Sequence, residues 1–199
     1  NGSFSTELYF RNVNNIRARI QEVYDTNVIV KRPVNAGVSN ALGAEFSFNN
    51  KPTKWWVSDL GANLFYYEIT GEIPGSSLDQ QTFTYRGRWS NSFVLPKDWK
   101  VQFISNYVAD VVSVQGIDKG YVSFDLAVKK DFNDGKVATT LQIRNLIASE
   151  RRETWVDTPT LYSYRMATPR WMVAALSVSI RLNNFDNSDK IQTEEGSEF

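Results

Sequence analysis

The 199-residue chain contains neither histidine nor cysteine. Those absences remove Ser-His-Asp and Cys-His nucleophilic arrangements, together with the common His/Cys zinc sites. Only carboxylate chemistry is left, so an enzyme is disfavoured, and neither a metal nor a cofactor is expected. A chain without thiols carries no disulfide staples, which suits a protein that crosses an oxidising space. An excess of one charge is missing too, because 22 Lys and Arg offset 22 Asp and Glu. Without a net field or a basic cluster interleaved with aromatics, a nucleic-acid partner is not expected. No apolar run approaches the roughly 18–20 residues of a transmembrane helix, and no signal peptide opens the chain. The first residues, Asn1-Gly2-Ser3-Phe4, lack an initiator Met and already read as strand, so the expectation is that part of the protein lies upstream.

Aromatic residues, by contrast, reach 14%, and the hydrophobic period is two almost everywhere, which is the strand signal. Over residues 36–48, Ala36, Val38, Leu42, Ala44, Phe46 and Phe48 share one face, with Asn40 the one polar intruder. Over residues 56–66, Trp56, Leu60, Ala62, Leu64 and Tyr66 oppose Asp59, Gly61 and Asn63, with Phe65 an odd aromatic among them. The same alternation runs through 83–95, 122–132, 137–147 and 172–182, and more weakly through 4–12 and 99–109. Eight antiparallel strands follow, an all-β meander over residues 1–185. Residues 15–32 are ambiguous and read as strand running into a loop. The acidic stretch 186–199 reads as a disordered tail.

The connections alternate in length. Residues 49–54, 96–98 and 133–135 are short, the last containing the Asp-Gly hairpin signal. Residues 24–32, 69–81, 110–120 and 148–163 read as long loops. Short turns at one end and long loops at the other are the habit of transmembrane barrels. Spacing gives an independent check. Trp56 and Tyr66 lie ten residues apart, as do Phe83 and Phe93. At about 3.3 Å per residue and a tilt near 40°, ten residues project to about 25 Å, the height of an apolar membrane band. Trp55, Trp56, Phe93, Trp99 and Phe132, with Phe48, gather beside the short turns. Tyr66, Phe83 and Tyr107, with Tyr67, Tyr85, Tyr121 and Trp171, gather beside the long loops. Two belts of membrane-interface aromatics are therefore expected, in contact with outer-membrane lipid.

Alternation with aromatics also describes a soluble all-β binding module for glycan or lipid. Its polar face would be strongly charged, whereas here that face is rich in Ser, Thr, Asn, Gln and Gly, as a wet lumen requires. Asp125 and Asp131 share the polar face of one strand, and Glu45 and Asp59 join it from others. They are either a general acid/base pair or lumen polarity balanced by Arg86, Arg88, Lys129, Arg144 and Arg181. Weak ligand-binding candidates are the loop residues Trp155, Tyr162, Arg151 and Arg152.

Tyr9-Phe10-Arg11-Asn12, then Pro33-Val34-Asn35-Ala36-Gly37, Gly43-Ala44-Glu45-Phe46 and Lys54-Trp55-Trp56 carry a resemblance. Leu95-Pro96, Gln115-Gly116 and Leu126-Ala127-Val128-Lys129-Lys130-Asp131-Phe132 extend it, so that it spans residues 4–185. The chain resembles the C-terminal barrel segment of TonB-dependent receptors of the Bacteroidetes type. The resemblance implies a 22-stranded plugged barrel in the cell outer membrane. Such a barrel imports a small nutrient with energy passed through TonB. It further implies that this chain supplies the last eight strands, and that its partners are the rest of that barrel and the plug. Eight strands cut from a wide barrel leave two edges. They would close on themselves, pair edge to edge with a second copy, or join strands outside this sequence.

Overall fold

A computed structural model describes residues 2–26, 28–74, 76–168 and 171–182. Their strands, in chain order, are β1 (Gly2–Asn14), β2 (Arg17–Asp25), β3 (Val28–Asn35), β4 (Val38–Thr53), β5 (Trp56–Ile73), β6 (Ser76–Leu95) and β7 (Trp99–Val108). Then come β8 (Val111–Ser113), β9 (Gly116–Asp118), β10 (Tyr121–Phe132), β11 (Val137–Arg144), β12 (Arg152–Thr158), β13 (Leu161–Ala167) and β14 (Val173–Ile180). There is no helix among the described residues, and the acidic stretch 186–199 lies outside them.

One eight-stranded antiparallel sheet, β1-β4-β5-β6-β7-β10-β11-β14, forms the wall. Its strands are the eight that the period-two pattern marks. β1 and β14 each pair with one neighbour and not with each other, so the sheet stays open among the described residues.

The long connections differ from the sequence reading. Residues 15–32 do not run into a loop, because β2 and β3 close a separate hairpin. Residues 69–81 are not a loop either. β5 and β6 stay paired from Trp56↔Phe93 out to Ile73↔Ser76 and carry a two-stranded arm well past the other strands. Residues 110–120 and 148–163 contain β8, β9, β12 and the start of β13, which build a four-stranded sheet in the order β13-β12-β9-β8.

The buried core sits in this upper layer rather than inside the wall. Ile20, Ala36, Ile69, Ile73 and Leu78 form it, with Ile16, Ala18, Val34, Tyr67 and Val114 packed around them. Hydrophobic burial therefore fastens the β2–β3 hairpin to the β5–β6 arm. The contact is tight where β4 begins. Gly37 has φ +95°, and a Cβ there would meet the Thr70 carbonyl oxygen at 2.3 Å. Gly71 answers it, with φ +153° and a Cβ position 2.8 Å from the Gly37 Cα. Only residues without a Cβ let these two backbones approach so closely. The hairpin is also latched by side chain to backbone. The Gln21 N–H donates to Gln115 Oε1 (2.7 Å), and Gln115 Nε2 donates to the Gln21 carbonyl (3.0 Å).

At the opposite end the turns are tight. Lys97 and Asp98 both adopt positive φ (61° each), as do Asn133, Asp134 and Gly135. These left-handed residues let the chain reverse over three residues between Leu95 and Trp99 and over four between Phe132 and Val137.

Candidate functional site

The register converts alternation into rows that run across the wall. On its outward face Phe4, Thr6, Leu8 and Phe10 of β1 lie opposite Phe48, Phe46, Ala44 and Leu42 of β4. These lie opposite Leu60, Ala62, Leu64 and Tyr66 of β5, and then Trp89, Gly87, Tyr85 and Phe83 of β6. On the other half of the sheet the rows read Phe103–Leu126–Ile143–Ala174 and Val101–Val128–Leu141–Leu176. No described residue covers this surface: Leu8 is 79% exposed and Leu176 70%.

The band has a sharp upper limit. One step beyond Phe10–Leu42–Tyr66–Phe83 the row is Asn12–Asn40–Glu68–Gln81. Asn12 Nδ2 donates to Asn40 Oδ1 (2.7 Å), Asn40 Nδ2 donates to Glu68 Oε2 (3.3 Å), and the Tyr66 hydroxyl donates to Gln81 Oε1. Asn40 is thus no intruder. It belongs to a hydrogen-bonded polar line where the apolar surface ends, and Ala36 beyond it turns into the buried core. Four apolar rows below that line span about 20 Å along the strand.

The lower limit is set by amphipathic aromatics. Trp89 Nε1 donates to Ser58 Oγ (2.9 Å) and Trp56 Nε1 to Asn91 Oδ1 (3.0 Å). Trp55, Trp56 and Phe93 pack mutually, with ring centroids 6.1–6.5 Å apart. Further along, the Lys130 ammonium sits between the Trp99 and Phe132 rings and donates to the Lys97 carbonyl in the turn. At the upper end Tyr66 and Phe83 are cross-strand partners, and Tyr85 stacks on Tyr107 at 5.4 Å. Two aromatics assigned to that belt from sequence belong elsewhere. Tyr67 shares the inner row of Arg11 and Thr82 and lines the basin described below, while Tyr121 shares the face opposite Tyr107 and Val122 and lies beneath the Arg152 guanidinium.

The inner face is polar, and three of its carboxylates, Asp131, Asp125 and Asp59, are engaged. Asp131 is bridged by Lys129 (3.0 Å) and Lys100 (3.1 Å). Asp125 Oδ1 accepts the Asn145 N–H (2.9 Å), and Asp59 accepts from Asn49 Nδ2. Asp125 and Asp131 are six residues apart on one strand, about 20 Å, so they form no acid/base pair.

A basin of about 840 Å³ lies between the inner wall and the hairpin. One wall row in it reads Glu7–Glu45–Asn63–Arg86, and the next reads Tyr9–Gly43–Phe65–Thr84. The Tyr9 ring lies across Gly43, where a Cβ would meet it at 2.7 Å, and its hydroxyl donates to Asn63 Oδ1 (3.0 Å). Asn63 Nδ2 donates to Glu45 Oε1 (2.6 Å). The Arg86 guanidinium lies 5.8 Å from the centre of the Phe65 ring. Arg11 and Arg17 also line the basin, and among the described residues neither they nor Glu7 has an ion-pair partner. The odd Phe65 of the sequence pattern was the visible signal of this site. Tyr9, Glu7 and Arg11 were missed because nothing within one strand shows what register brings beside them.

The four loop candidates separate. Trp155 packs on Tyr164 (4.5 Å) and Tyr162 (6.1 Å), and with Tyr162 it lines a cleft of about 440 Å³ against Ile73, Leu78 and Gln80. Its indole N–H is buried without a hydrogen-bond partner among the described residues. Arg152 points to a different cleft, paired with Glu150 at 2.8 Å. Arg151 is exposed and lines neither cleft.

Titration in the upper layer follows the same contacts. Hydrogen bonds from Arg32 hold the Glu22 carboxyl below its usual value, and the Gly120 N–H followed by Lys119 does the same for Asp110. Burial, helped by Glu153, pushes the Tyr164 hydroxyl up.

A family model described as the outer membrane protein beta-barrel family matches residues 1–191. No curated protein matches the chain. No solved structure matches it either.

Proposed function

This chain belongs to the outer membrane protein beta-barrel family, and from that premise we propose that it is one arc of the wall of a larger, TonB-dependent nutrient receptor. It resides in the outer membrane, which removes the soluble binding module from consideration. The outward surface meets lipid, with Trp55, Trp56, Phe93, Trp99 and Phe132 anchoring one interface and Tyr66, Phe83 and Tyr107 the other. The inner surface faces water. The upper layer captures ligand, and the chain performs no chemistry of its own.

The observation that carries this reading is the pair of open edges on a wall whose outward rows end at a polar line. An unpaired strand edge at membrane depth costs several kcal/mol for each exposed backbone group, so β1 and β14 need strands beside them. A plug domain and TonB enter only through that remainder.

Because the chain has no cysteine, single-cysteine variants report sidedness directly. Thr160→Cys in the β12–β13 turn should react with an impermeant maleimide in intact cells, and Asp134→Cys only after the outer membrane is opened. The reverse pattern overturns the orientation. Loss of the protein should impair growth on its nutrient as much as loss of TonB does. A defect indifferent to TonB overturns the receptor reading.

A further inference from the structure

We propose that the basin between the wall and the β2–β3 hairpin binds a short peptide with free termini, about four residues long and carrying an aromatic side chain; this deepens the receptor reading and rests on it. The argument starts from charge placed against the grain. Glu7 and Glu45 are directly opposite across β1 and β4, and like charges in that position destabilise a sheet. Asn63 satisfies one oxygen of Glu45, and among the described residues Glu7 has no ion-pair partner. A bound ammonium would relieve both carboxylates at once.

The other end of the same row supplies the opposite sign. Arg86 has no carboxylate partner among the described residues and is steadied only by the face of Phe65. Glu7 and Arg86 stand three strand spacings apart, about 14 Å at roughly 4.8 Å each. An extended peptide advances about 3.3–3.6 Å per residue, so four residues carry an N-terminal ammonium to the glutamates and a C-terminal carboxylate to Arg86. Between them the neighbouring row offers Tyr9 and Phe65, the Tyr9 ring lying across Gly43 towards Phe65. Both rings line the basin, and their basin side receives an aromatic side chain edge-on or stacked. The 840 Å³ volume is in the range of sites for molecules of this size, about 300–1,000 Å³.

Neither a flat anion nor a neutral sugar uses all three features. An anion meets the glutamate corner as repulsion, and a sugar leaves both charged ends unpaired in a confined site. A zwitterion longer or shorter than about four residues reaches only one end.

Protein purified from outer membranes in non-ionic detergent, with its heat-shifted gel band as proof of folding, is titrated calorimetrically with Ala-Phe-Ala-Ala. The free peptide should bind, and N-acetylation or C-amidation should each weaken it about tenfold. With Glu7→Gln and Glu45→Gln together, acetylation should cease to matter while amidation still does. Arg86→Gln should give the converse. Folded wild-type protein that binds free and doubly capped peptide equally, or binds neither at millimolar concentration, overturns the proposal, and that arm needs no variant to fold. Should the site bind as described while uptake ignores TonB, the receptor reading falls and the site stands.

Discussion

The Lys130 ammonium lies 5.6 Å from the centre of the Trp99 ring, with Phe132 on its other side at 5.4 Å. The lysine stands on the outward row between Trp99 and Thr139, yet its tip reaches the Lys97 carbonyl in the turn. Its methylene stem thus lies along apolar surface while its charge stays at the rim. Replacing Lys130 by Ala should cost about 1 kcal/mol of stability in phospholipid vesicles, and Lys130→Arg should restore it. Urea titration followed by tryptophan fluorescence reads both. Equal stability of all three proteins would detach Lys130 from membrane anchoring.

Leu64 occupies the middle of the outward band, between Ala44 and Tyr85. Arginine there should destabilise the folded barrel by roughly 2–4 kcal/mol. Ser47→Arg, on the inner face opposite Ser5 and Gly61, should change stability by less than about 1 kcal/mol. The folded fraction on unheated gels separates the two, and similar penalties at both sites would mean that the faces are misassigned.

The Gln21–Gln115 latch joins segments 94 residues apart in a part-buried setting. Gln115→Ala leaves one backbone N–H and one carbonyl of β2 without their partner, at a cost of about 1–3 kcal/mol. The hairpin should become open to protease while the gel mobility of the wall is unchanged.

At the short turn, Asp98 holds a φ of 61° that glycine adopts freely. Left-handed backbone costs an L-residue about 1–2 kcal/mol. Asp98→Gly should therefore stabilise the wall by about 0.5–1 kcal/mol once the greater freedom of an unfolded glycine is subtracted. A raised denaturation midpoint is the expected result.

Acid should loosen the upper layer in a defined window. The carboxyls of Asp110 and Glu22 are both held below their usual values. Lowered folded-state values give stability that is fully present above the unfolded value, about 4, and lost as pH falls through the folded one. Protection of the β2–β3 hairpin and of the β8–β9 region against acid-active protease should be flat from pH 5 to 8 and decline below about 4. Asp110→Asn should remove the β8–β9 part of that decline.

The strands of the wall were legible because each keeps one period over the whole depth of an apolar band, as Trp56, Leu60, Leu64 and Tyr66 do. The upper layer was not. β8 and β9 have three residues each, too few to show a period. β2 mixes Arg17, Arg19 and Gln21 with Ala18, Ile20 and Glu22, because its buried side is assembled from distant chain. Phe65 announced itself against its strand's pattern, whereas the basin depends on Glu7, Glu45 and Arg86 meeting across 79 residues of sequence. Parity within a strand is local information, and register between strands is not.

The unpaired edge of β1 also legislates for whatever lies beside it. Hydrogen bonding along Gly2–Asn14 admits a new strand only in steps of two residues, since a slip of one would exchange its outward and inward sides. Phe4, Leu8 and Phe10 therefore dictate which residues of that neighbour are oily and which are wet. The sidedness of every strand added after it is inherited from this border in the same way.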